Sequence, residues 1–402
     1  MKITGIVAEY NPFHTGHEYQ LKKARELSSC DGTAVVMSGN YVQRGEPAII
    51  DKFKRAEAAV HGGADLVIEL PMPFSFQNAE MFAMAAVREL KKLPVSNLSF
   101  GCECTDIKLL EKTASVQLDA EFNNELKCEI KKGMSYPKAL SNTICSFLGE
   151  QASIHASSPN NVLGIEYIKS SIKQNTGWKY IPIERIGKGH NDFRSTGSYD
   201  SATAIRKAIL KSQGANVSVT PKSREMIDMF YNNHEKLNSL DNYLEILYYR
   251  IIQLGPEGLN KIYEVSEGLN NKIYSNVFLH ENIDDLIMSL KSKRYTYSRL
   301  RRMLLNILLG ITYVDIKHFM YSNTNYIKVL AFNDTGRMII KEAKKSGTII
   351  INRYSDYKKH NLSDDEMRLF RLTSRATDIY NIPLKNRKAN FEYTKNSIYV
   401  KI

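Results

Sequence analysis

Short apolar runs alternate with amphipathic stretches along the first half of the chain. The first three apolar runs are almost continuously apolar, which is typical of buried parallel strands. The stretches between the runs have helical spacing, and several end at stop signals such as Gly62-Gly63 or Pro94. This alternation predicts an α/β fold with a doubly wound parallel sheet, in which ligands bind outside the carboxyl ends of the strands. The five predicted strands span residues 3–9, 33–39, 65–71, 95–101 and 178–187.

The rest of the chain has mainly helical patterns. Residues 103–160 are less regular and are predicted to form a helical insertion before the last of the five strands. Long helical patterns then dominate as far as about residue 320, after which a strand, a helix and a strand are predicted. We therefore predict two domains. Residues 1–215 hold the sheet, and residues 216–402 form a mainly helical domain with a small α/β part at its end.

Composition limits the class of protein. The 402 residues contain no run approaching 18 consecutive apolar positions and no signal-peptide pattern, so we expect a soluble, cytoplasmic protein. The cysteines form no CxxC pair, and Cys102-Glu-Cys104 lacks the second ligand pair of a zinc site. We predict neither a protein-bound metal site nor a redox cofactor. The net charge of +12 is concentrated in the second half, where residues 211–402 hold 30 basic against 20 acidic residues, which indicates a polyanionic partner.

The stretch EYNPFHTGHEYQL carries the strongest chemical signal. Asn11-Pro12 turns the chain after the first strand, and HTGH then begins a helix, where unpaired backbone N–H groups favour an anion. Gly16 lets a ligand approach the backbone, and His14 and His17 share one face of the first helical turn. This pattern predicts a phosphate site that stabilises the charge developing during attack at phosphorus. The alternative is a capping loop with surface histidines.

Two motifs resemble signatures of the nucleotidyltransferase superfamily. HTGH is similar to its HxGH (HIGH-type) signature, and SATAIRK at 201–207 is similar to its SxTxIR signature. In the second motif, Ser201 can cap a helix, Thr203 can hold phosphates and Arg206 can neutralise them. Alone, this motif also fits any capped amphipathic helix. Together, the two motifs predict a nucleotide site at the carboxyl edge of the sheet.

A closer resemblance covers nearly the whole chain. The segments GIVAEYNPFHTGHEYQL, VVMSGNYVQRGEPAIIDKFKRAEAAVHGGADLVIELP and KRYTYSRLRRMLLNILLGI resemble the bacterial tRNA(Met) cytidine acetate ligase family. The resemblance implies that ATP, with Mg²⁺, activates acetate as acetyl-adenylate, which then acetylates N4 of the wobble cytidine of elongator tRNA(Met). It also implies a catalytic, ATP-binding first domain and a tRNA-binding second domain.

The resemblance further implies the residues of the nucleotide site. His14 and His17 are predicted to be catalytic, and either Asn160 or Asn161 to meet the nucleotide. The full predicted ATP site comprises Val7, Ala8, Glu9, Tyr10, Asn11, Pro12, Phe13, His14, Thr15, Gly16, His17, Glu18, Tyr19, Gln20, Gly101, Asn160, Asn161, Arg185, Ser201, Thr203 and Arg206.

Two basic stretches are candidates for contact with tRNA. The first follows the second strand and places cationic side chains at the same sheet edge; the second, KSKRYTYSRLRR, interleaves six basic residues with two tyrosines. Cations bind phosphates and aromatic rings stack on unpaired bases, although a solvated basic face would look similar. The predicted tRNA-binding residues are Arg44, Lys52, Arg55, Lys291, Lys293, Arg294, Tyr295, Tyr297, Arg299, Arg301 and Arg302.

Two other functions stay open from the residues alone. HxGH and SxTxIR also occur in adenylyltransferases and cytidylyltransferases that act on small phosphate esters. A non-enzymatic alternative is an RNA-binding module with a vestigial nucleotide site, which the intact His14, Gly16, His17 and Arg206 disfavour.

Overall fold

The computed structural model describes residues 1–185, 201–212, 217–266, 268–292, 295–322 and 324–401. The strands are β1 (Ile3–Ala8), β2 (Gly32–Ser38), β3 (Tyr41–Val42), β4 (Glu46–Pro47), β5 (Leu66–Leu70), β6 (Val95–Cys102), β7 (Lys179–Glu184), β8 (Tyr326–Phe332), β9 (Ile349–Ile351) and β10 (Ile398–Tyr399).

The helices of the first half are α1 (Thr15–Ser28), α2 (Lys52–His61), α3 (Ala79–Lys91), α4 (Ile107–Val116), α5 (Ala120–Lys131), α6 (Tyr136–Leu148), α7 (Glu150–Ala156), α8 (Pro159–Lys173) and α9 (Ala202–Lys211). Those of the second half are α10 (Pro221–His234), α11 (Leu244–Leu259), α12 (Leu269–Ser275), α13 (Ile283–Leu290), α14 (Tyr297–Leu309), α15 (Tyr313–Tyr321), α16 (Asp334–Lys345), α17 (Asp364–Asn381) and α18 (Phe391–Thr394).

One sheet organises the molecule, in the order β10-β8-β5-β2-β1-β6-β7, with β9 paired to β8. The pairs are parallel except for β5 with β8, which is antiparallel. The central strands β1, β2 and β5 are buried almost throughout because helices cover both faces. The predicted α/β fold class is confirmed, and the five predicted strands match β1, β2, β5, β6 and β7 closely, with residues 186 and 187 outside the described part.

The two halves of the chain share this sheet. Strand β8, from the second half, pairs with β5 of the first, so that Leu66 lies opposite Phe332. One continuous apolar core runs from Ile3 to Val400. The predicted division near residue 215 stays a prediction. No helix in the described ranges is long and apolar enough to cross a membrane.

Helix starts place the functional loops. Side-chain oxygens cap α2 at Asp51, α3 at Asn78 and α9 at Ser201, each accepting a backbone N–H of the first turn. Helix α1 is capped instead by an imidazole, that of His14. The first turn of α1, the helix that follows β1, is therefore fixed by the histidines of the HTGH motif.

Candidate functional site

A cleft of about 280 Å³ opens at the carboxyl ends of β1, β6 and β7. This is the position where open α/β sheets bind their ligands. The cleft is lined from the ends of these strands and from the loop after β2. The predicted site residues that line it are Val7, Ala8, Glu9, His14, Gly16, His17, Tyr19, Gln20, Arg44, Gly101, Asn160, Arg185, Ser201, Thr203 and Arg206.

The two histidines of the motif are locked by backbone hydrogen bonds. Nδ1 of His14 accepts the N–H of Gly16 at 3.1 Å, and Nδ1 of His17 accepts the N–H of His14 at 3.3 Å. The rings stack with centroids 3.6 Å apart. Because each Nδ1 is an acceptor, a neutral ring carries its proton on Nε2. Both imidazoles are therefore set as Nε2–H donors at the start of α1.

His17 is held neutral by its surroundings. Burial, together with nearby His14 and Arg185, lowers the pKa of His17 well below its usual value of 6.5. A neutral imidazole donates one hydrogen bond without carrying a full charge into the cleft. The site therefore suits a hydrogen bond to a phosphate oxygen across the neutral pH range.

Gly16 has a local role that the sequence pattern did not reveal. A Cβ at this position would lie 2.9 Å from Cε1 of His14 and 3.1 Å from Nδ1 of the same ring. The glycine thus lets the His14 ring fold back over the backbone of α1. Its predicted role in admitting a ligand stays a prediction.

Several motif residues pack beneath the surface and stabilise the loop between β1 and α1. Tyr10 and Phe13 are fully buried, with their ring centroids 4.9 Å apart, and Tyr10 lies 4.7 Å from the ring of His17. Oδ1 of Asn11 accepts the backbone N–H of Ile49 at 2.9 Å. The side chains of Tyr10, Asn11, Pro12, Phe13 and Asn161 are buried and do not line the cleft, and the predicted contact of these residues with ATP stays a prediction.

Two further motif residues lie outside the cleft wall. The hydroxyl of Thr15 donates to the carbonyl oxygen of Ser218 at 3.2 Å and so ties the start of α1 to the chain after α9. Glu18 is exposed on α1. Their predicted contact with ATP stays a prediction.

The structure places Asn160 and Asn161 in different surroundings. Asn160 lines the cleft, and its Nδ2 donates to Oε1 of Glu103 at 2.6 Å. Asn161 is fully buried, and its Oδ1 accepts the backbone N–H groups of Glu103 and Cys104 at 2.9 and 3.1 Å. Asn161 therefore holds the loop after β6, while Asn160 faces the cleft, and contact of either residue with the nucleotide stays a prediction.

Glu103 is a cleft residue that the sequence reasoning missed. Its carboxylate accepts from Asn160 and also, at 3.0 Å, from the backbone N–H of Asn161. Arg185 donates to Oδ1 of Asn160 at 3.5 Å, so these groups form one polar wall. The signal was available, because Glu103 follows β6 at the sheet edge where ligands were expected.

The start of α9 reaches the cleft through Arg206. Nη1 of Arg206 donates to the carbonyl oxygen of Asn11 at 2.9 Å, and Nη2 lies 2.7 Å from Oε1 of Glu46. Nη2 also donates to the hydroxyl of Thr203 at 3.3 Å. Arg206 thus ties α9 to the loop after β1, while its predicted role at the phosphates stays a prediction.

The loop after β2 forms another part of the cleft wall. Gln43 and Arg44 line the cleft, and the backbone N–H of Gln43 donates to Oε1 of Glu9 at 2.8 Å. Burial raises the pKa of Glu9, while Arg44 and Arg206 lower it and only partly offset the burial. The cleft therefore combines imidazole and guanidinium donors with a carboxylate whose pKa is raised by burial.

Two predicted tRNA-binding residues are wrong because they are fully buried. Nζ of Lys52 pairs with Glu69 at 2.6 Å and with Glu392. Nη2 of Arg55 donates to the carbonyl oxygen of Ser38 at 3.1 Å, and Arg55 also binds the carbonyl oxygens of Glu9 and Gly39. Neither cation has surface to offer to RNA.

Most of the described basic residues in the second stretch form ion pairs within the protein. Tyr295 is only 6% exposed and lies under the guanidinium of Arg299, so its predicted stacking on RNA bases is wrong. Arg301 lies 2.6 Å from Glu46, whereas Arg302 and Arg299 lie 3.7 and 3.9 Å from Glu264. Lys291 is exposed and Tyr297 is half-buried. Lys293 and Arg294 lie outside the described residues.

No cluster of three or more potential metal-ligating side chains occurs within the described ranges. Cys102 and Cys104 are buried free thiols, and burial raises the pKa of Cys102 to about 12.

The sheet, the capped histidine pair and the cleft define a HIGH-type nucleotidyltransferase, and the family model HIGH Nucleotidyl Transferase matches residues 1–395. The chain is 38% identical over 408 residues to a tRNA(Met) cytidine acetate ligase of Clostridium perfringens, covering 98% of each. It is also 38% identical over 393 residues to one of Thermoanaerobacter sp. (strain X514), covering 96% of each. The chain belongs to the tRNA(Met) cytidine acetate ligase family.

Solved structures agree with this assignment. The apo form I structure of Thermotoga maritima TmcAL is 31% identical to the chain and superposes with a TM-score of 0.94, covering 100% of both chains. A second structure of the same protein, bound with alpha-thio ATP, superposes with a TM-score of 0.93 over the same coverage.

Proposed function

We propose that the protein is an ATP-dependent ligase that activates acetate as acetyl-adenylate and acetylates N4 of the wobble cytidine of elongator tRNA(Met). The observation that carries this proposal is the stacked pair of His14 and His17, whose Nε2–H groups are available as donors in the cleft. The match of nearly the whole chain to ligases of that name supports it. ATP enters as its Mg²⁺ complex, and the reaction takes place in the cytoplasm, where its tRNA substrate is found.

The first step forms the adenylate. An acetate oxygen attacks the α-phosphorus of ATP, and the bond to the β-phosphate oxygen breaks to release diphosphate. The Nε2–H groups of His14 and His17 donate to the phosphate oxygens where negative charge develops, and their positions are set by the bonds at Nδ1 before ATP arrives. No covalent bond to the enzyme is required.

The second step transfers the acetyl group. The exocyclic amine of cytidine attacks the acetyl carbonyl, an amide bond forms, and AMP leaves as the amine loses a proton. Asn160 and Arg185 line the cleft, where they bind the adenylate while tRNA arrives. The cleft must therefore hold the nucleotide through both steps.

The basic second half supplies the surface for tRNA. We assign ATP binding and catalysis to residues 1–215 and tRNA binding mainly to residues 216–402, whose excess of positive charge favours phosphate groups. In the second half, exposed Lys291 and the accessible parts of Tyr297 and Arg299 are the described candidates from the KSKRYTYSRLRR stretch. Arg44 extends this surface to the cleft.

The test is incubation with ATP, labelled acetate and unmodified tRNA, followed by nucleoside analysis. Label in N4-acetylcytidine is the expected result, and it should require both ATP and tRNA. A second assay, ATP–diphosphate exchange, should depend on acetate. Exchange that instead depends on a phosphorylated small molecule would overturn the proposal in favour of an adenylyltransferase.

A further inference from the structure

The hairpin formed by β3 and β4 lies next to both the nucleotide cleft and helix α14. Gln43 and Arg44, at its tip, line the cleft. The next two residues, Gly45 and Glu46, contact α14, and Glu46 also reaches Arg206 of the cleft wall. One short hairpin thus contacts both the candidate ATP site and the start of the basic helix.

Glu46 bridges two arginines that belong to different parts of the proposed function. Its Oε1 lies 2.7 Å from Nη2 of Arg206, on the nucleotide side, and its Oε2 lies 2.6 Å from Nη2 of Arg301, on α14. The Glu46 side chain is 13% exposed. Burial opposes its charge, but the two guanidinium groups outweigh burial and lower the pKa of Glu46, so the carboxylate is ionised.

The hairpin also meets α14 backbone to backbone. A Cβ on Gly45 would lie 2.6 Å from the backbone nitrogen of Arg302 and 2.9 Å from the carbonyl carbon of Arg301. Gly45 has φ of +78°, a conformation that favours glycine. The approach of α14 to the cleft is therefore fixed by close contact as well as by charge.

The two arginines depend on Glu46 unequally. Arg206 keeps hydrogen bonds to the carbonyl oxygen of Asn11 and to Thr203 without it. Arg301 forms an ion pair with Glu46, and its guanidinium carbon lies 5.7 Å from the ring centroid of Tyr297. Loss of the Glu46 charge should thus free Arg301 and the start of α14 more than the nucleotide side.

We propose that Glu46 is a positioning residue for acetyl transfer, which holds Arg301 and the start of α14 against the cleft so that tRNA bound there presents its cytidine to the adenylate. This inference rests on the proposed function and deepens it. Glu46 itself touches no substrate. Its effect should appear in the step that uses tRNA and much less in the step that uses ATP and acetate.

The test compares Glu46→Gln with the wild type in the two half-reactions. We expect acetate-dependent ATP–diphosphate exchange to stay within about threefold, while kcat/KM for tRNA acetylation falls about tenfold, mainly through KM, because a neutral amide cannot balance two guanidinium groups. Glu46→Asp, which keeps the charge, should recover part of the loss. In the double variant with Arg301→Met, the Glu46→Gln change should add little further loss.

The matched control is Glu264→Gln, which removes the acidic partner of Arg299 and Arg302 on the same helix without touching Arg206. It should change the ratio of the two activities less than Glu46→Gln does. Equal losses in both half-reactions of Glu46→Gln, or an equal shift of the ratio in the control, would overturn the inference. Thermal melting of each variant separates these outcomes from unfolding.

Failure of the proposed function gives a different result. A wild-type protein that shows acetate-dependent exchange but forms no acetylcytidine would refute tRNA acetylation itself. Filter binding of unmodified tRNA then still tests the role of the Glu46 ion pairs. Weaker binding by Glu46→Gln, with exchange retained, supports the positioning role, and unchanged binding overturns it.

Discussion

The Nδ1 atom of His17 accepts the backbone N–H of His14 at 3.3 Å, while the two imidazole rings stack with centroids 3.6 Å apart. The helix cap and the proposed catalytic donors are thus the same side chains. In a capping box, the two side chains accept hydrogen bonds from backbone N–H groups at the helix start. Here each ring caps through Nδ1 and keeps Nε2–H as a donor, so folding of α1 also orients the pair.

Replacement of His17 by Ala should remove one of the two donors. Loss of a hydrogen-bond donor to developing charge typically costs about 10²–10³ in rate. We expect acetate-dependent ATP–diphosphate exchange to fall by that order, with only a small change in melting temperature. His61→Ala, which changes an exposed histidine on α2, should leave exchange unchanged. Wild-type exchange in His17→Ala would show that the donor is not used.

Replacement of Gly16 by Ala should disturb the same pair without removing a polar group. The added Cβ would lie 2.9 Å from Cε1 of His14, so the ring must move and its bond to the Gly16 N–H is weakened. Exchange should fall at least tenfold while the melting temperature changes little, because Ala itself favours a helix. Unaltered exchange would mean that the orientation of His14 is unimportant.

The neighbours Asn160 and Asn161 should give opposite phenotypes. Asn160→Ala should raise KM for ATP and leave the melting temperature nearly unchanged, because this side chain faces the cleft. Asn161→Ala leaves the buried N–H of Cys104 and the partly buried N–H of Glu103 without their acceptor and should reduce stability by about 2–4 kcal/mol. Each variant is the control for the other, measured by ATP titration and chemical unfolding. A reversal of the two phenotypes would contradict the geometry.

The sequence pattern predicted the local features of the site well. The apolar runs located the strands, and the rule that ligands bind at their carboxyl ends located the cleft that His14 and Gly101 line. The helix-start motif predicted where both imidazoles lie. These features depend on neighbours in sequence, which is why periodicity and turn chemistry reveal them.

Features that depend on distant partners could not be predicted. Lys52 and Arg301 look like ordinary surface cations in sequence, yet Glu392 and Glu46, far from them along the chain, neutralise them in the fold. Tyr295 likewise looks available for stacking but is packed beneath Arg299. Only tertiary packing decides whether such a side chain faces solvent.

The low pKa of His17 gives a prediction about pH. Its folded pKa lies below the usual value of 6.5, so the folded protein binds fewer protons than the unfolded chain as the pH falls below 6.5. His17 therefore contributes stability above pH 6.5 that is lost as the pH falls below it. The unfolding free energy of the wild type should fall relative to His17→Asn under those conditions.

The same shift predicts the pH dependence of the first step. Exchange should show no loss attributable to His17 as the pH is lowered from 8 to 6.5, because the imidazole stays neutral. A rise in exchange through pH 6.5 on acidification, absent from His17→Asn, would show instead that a charged imidazolium binds the phosphates.

Lys52 gives a prediction that separates stability from RNA binding. Burial alone would lower its pKa, but Glu392 and Glu69 outweigh burial and raise it, so Lys52 is a charged group at the centre of a fully buried cluster. Removal of one partner from a buried ion pair typically costs about 3–5 kcal/mol, because the remaining charges lose their counterion. We expect Lys52→Met to lower the unfolding free energy by that amount.

The tRNA affinity of Lys52→Met, measured on the folded fraction, should match that of the wild type. Lys54→Met, which changes a partly exposed lysine two residues further along the same helix, should leave stability almost unchanged. Weakened tRNA binding by fully folded Lys52→Met would restore the original surface role that the burial of this residue excludes.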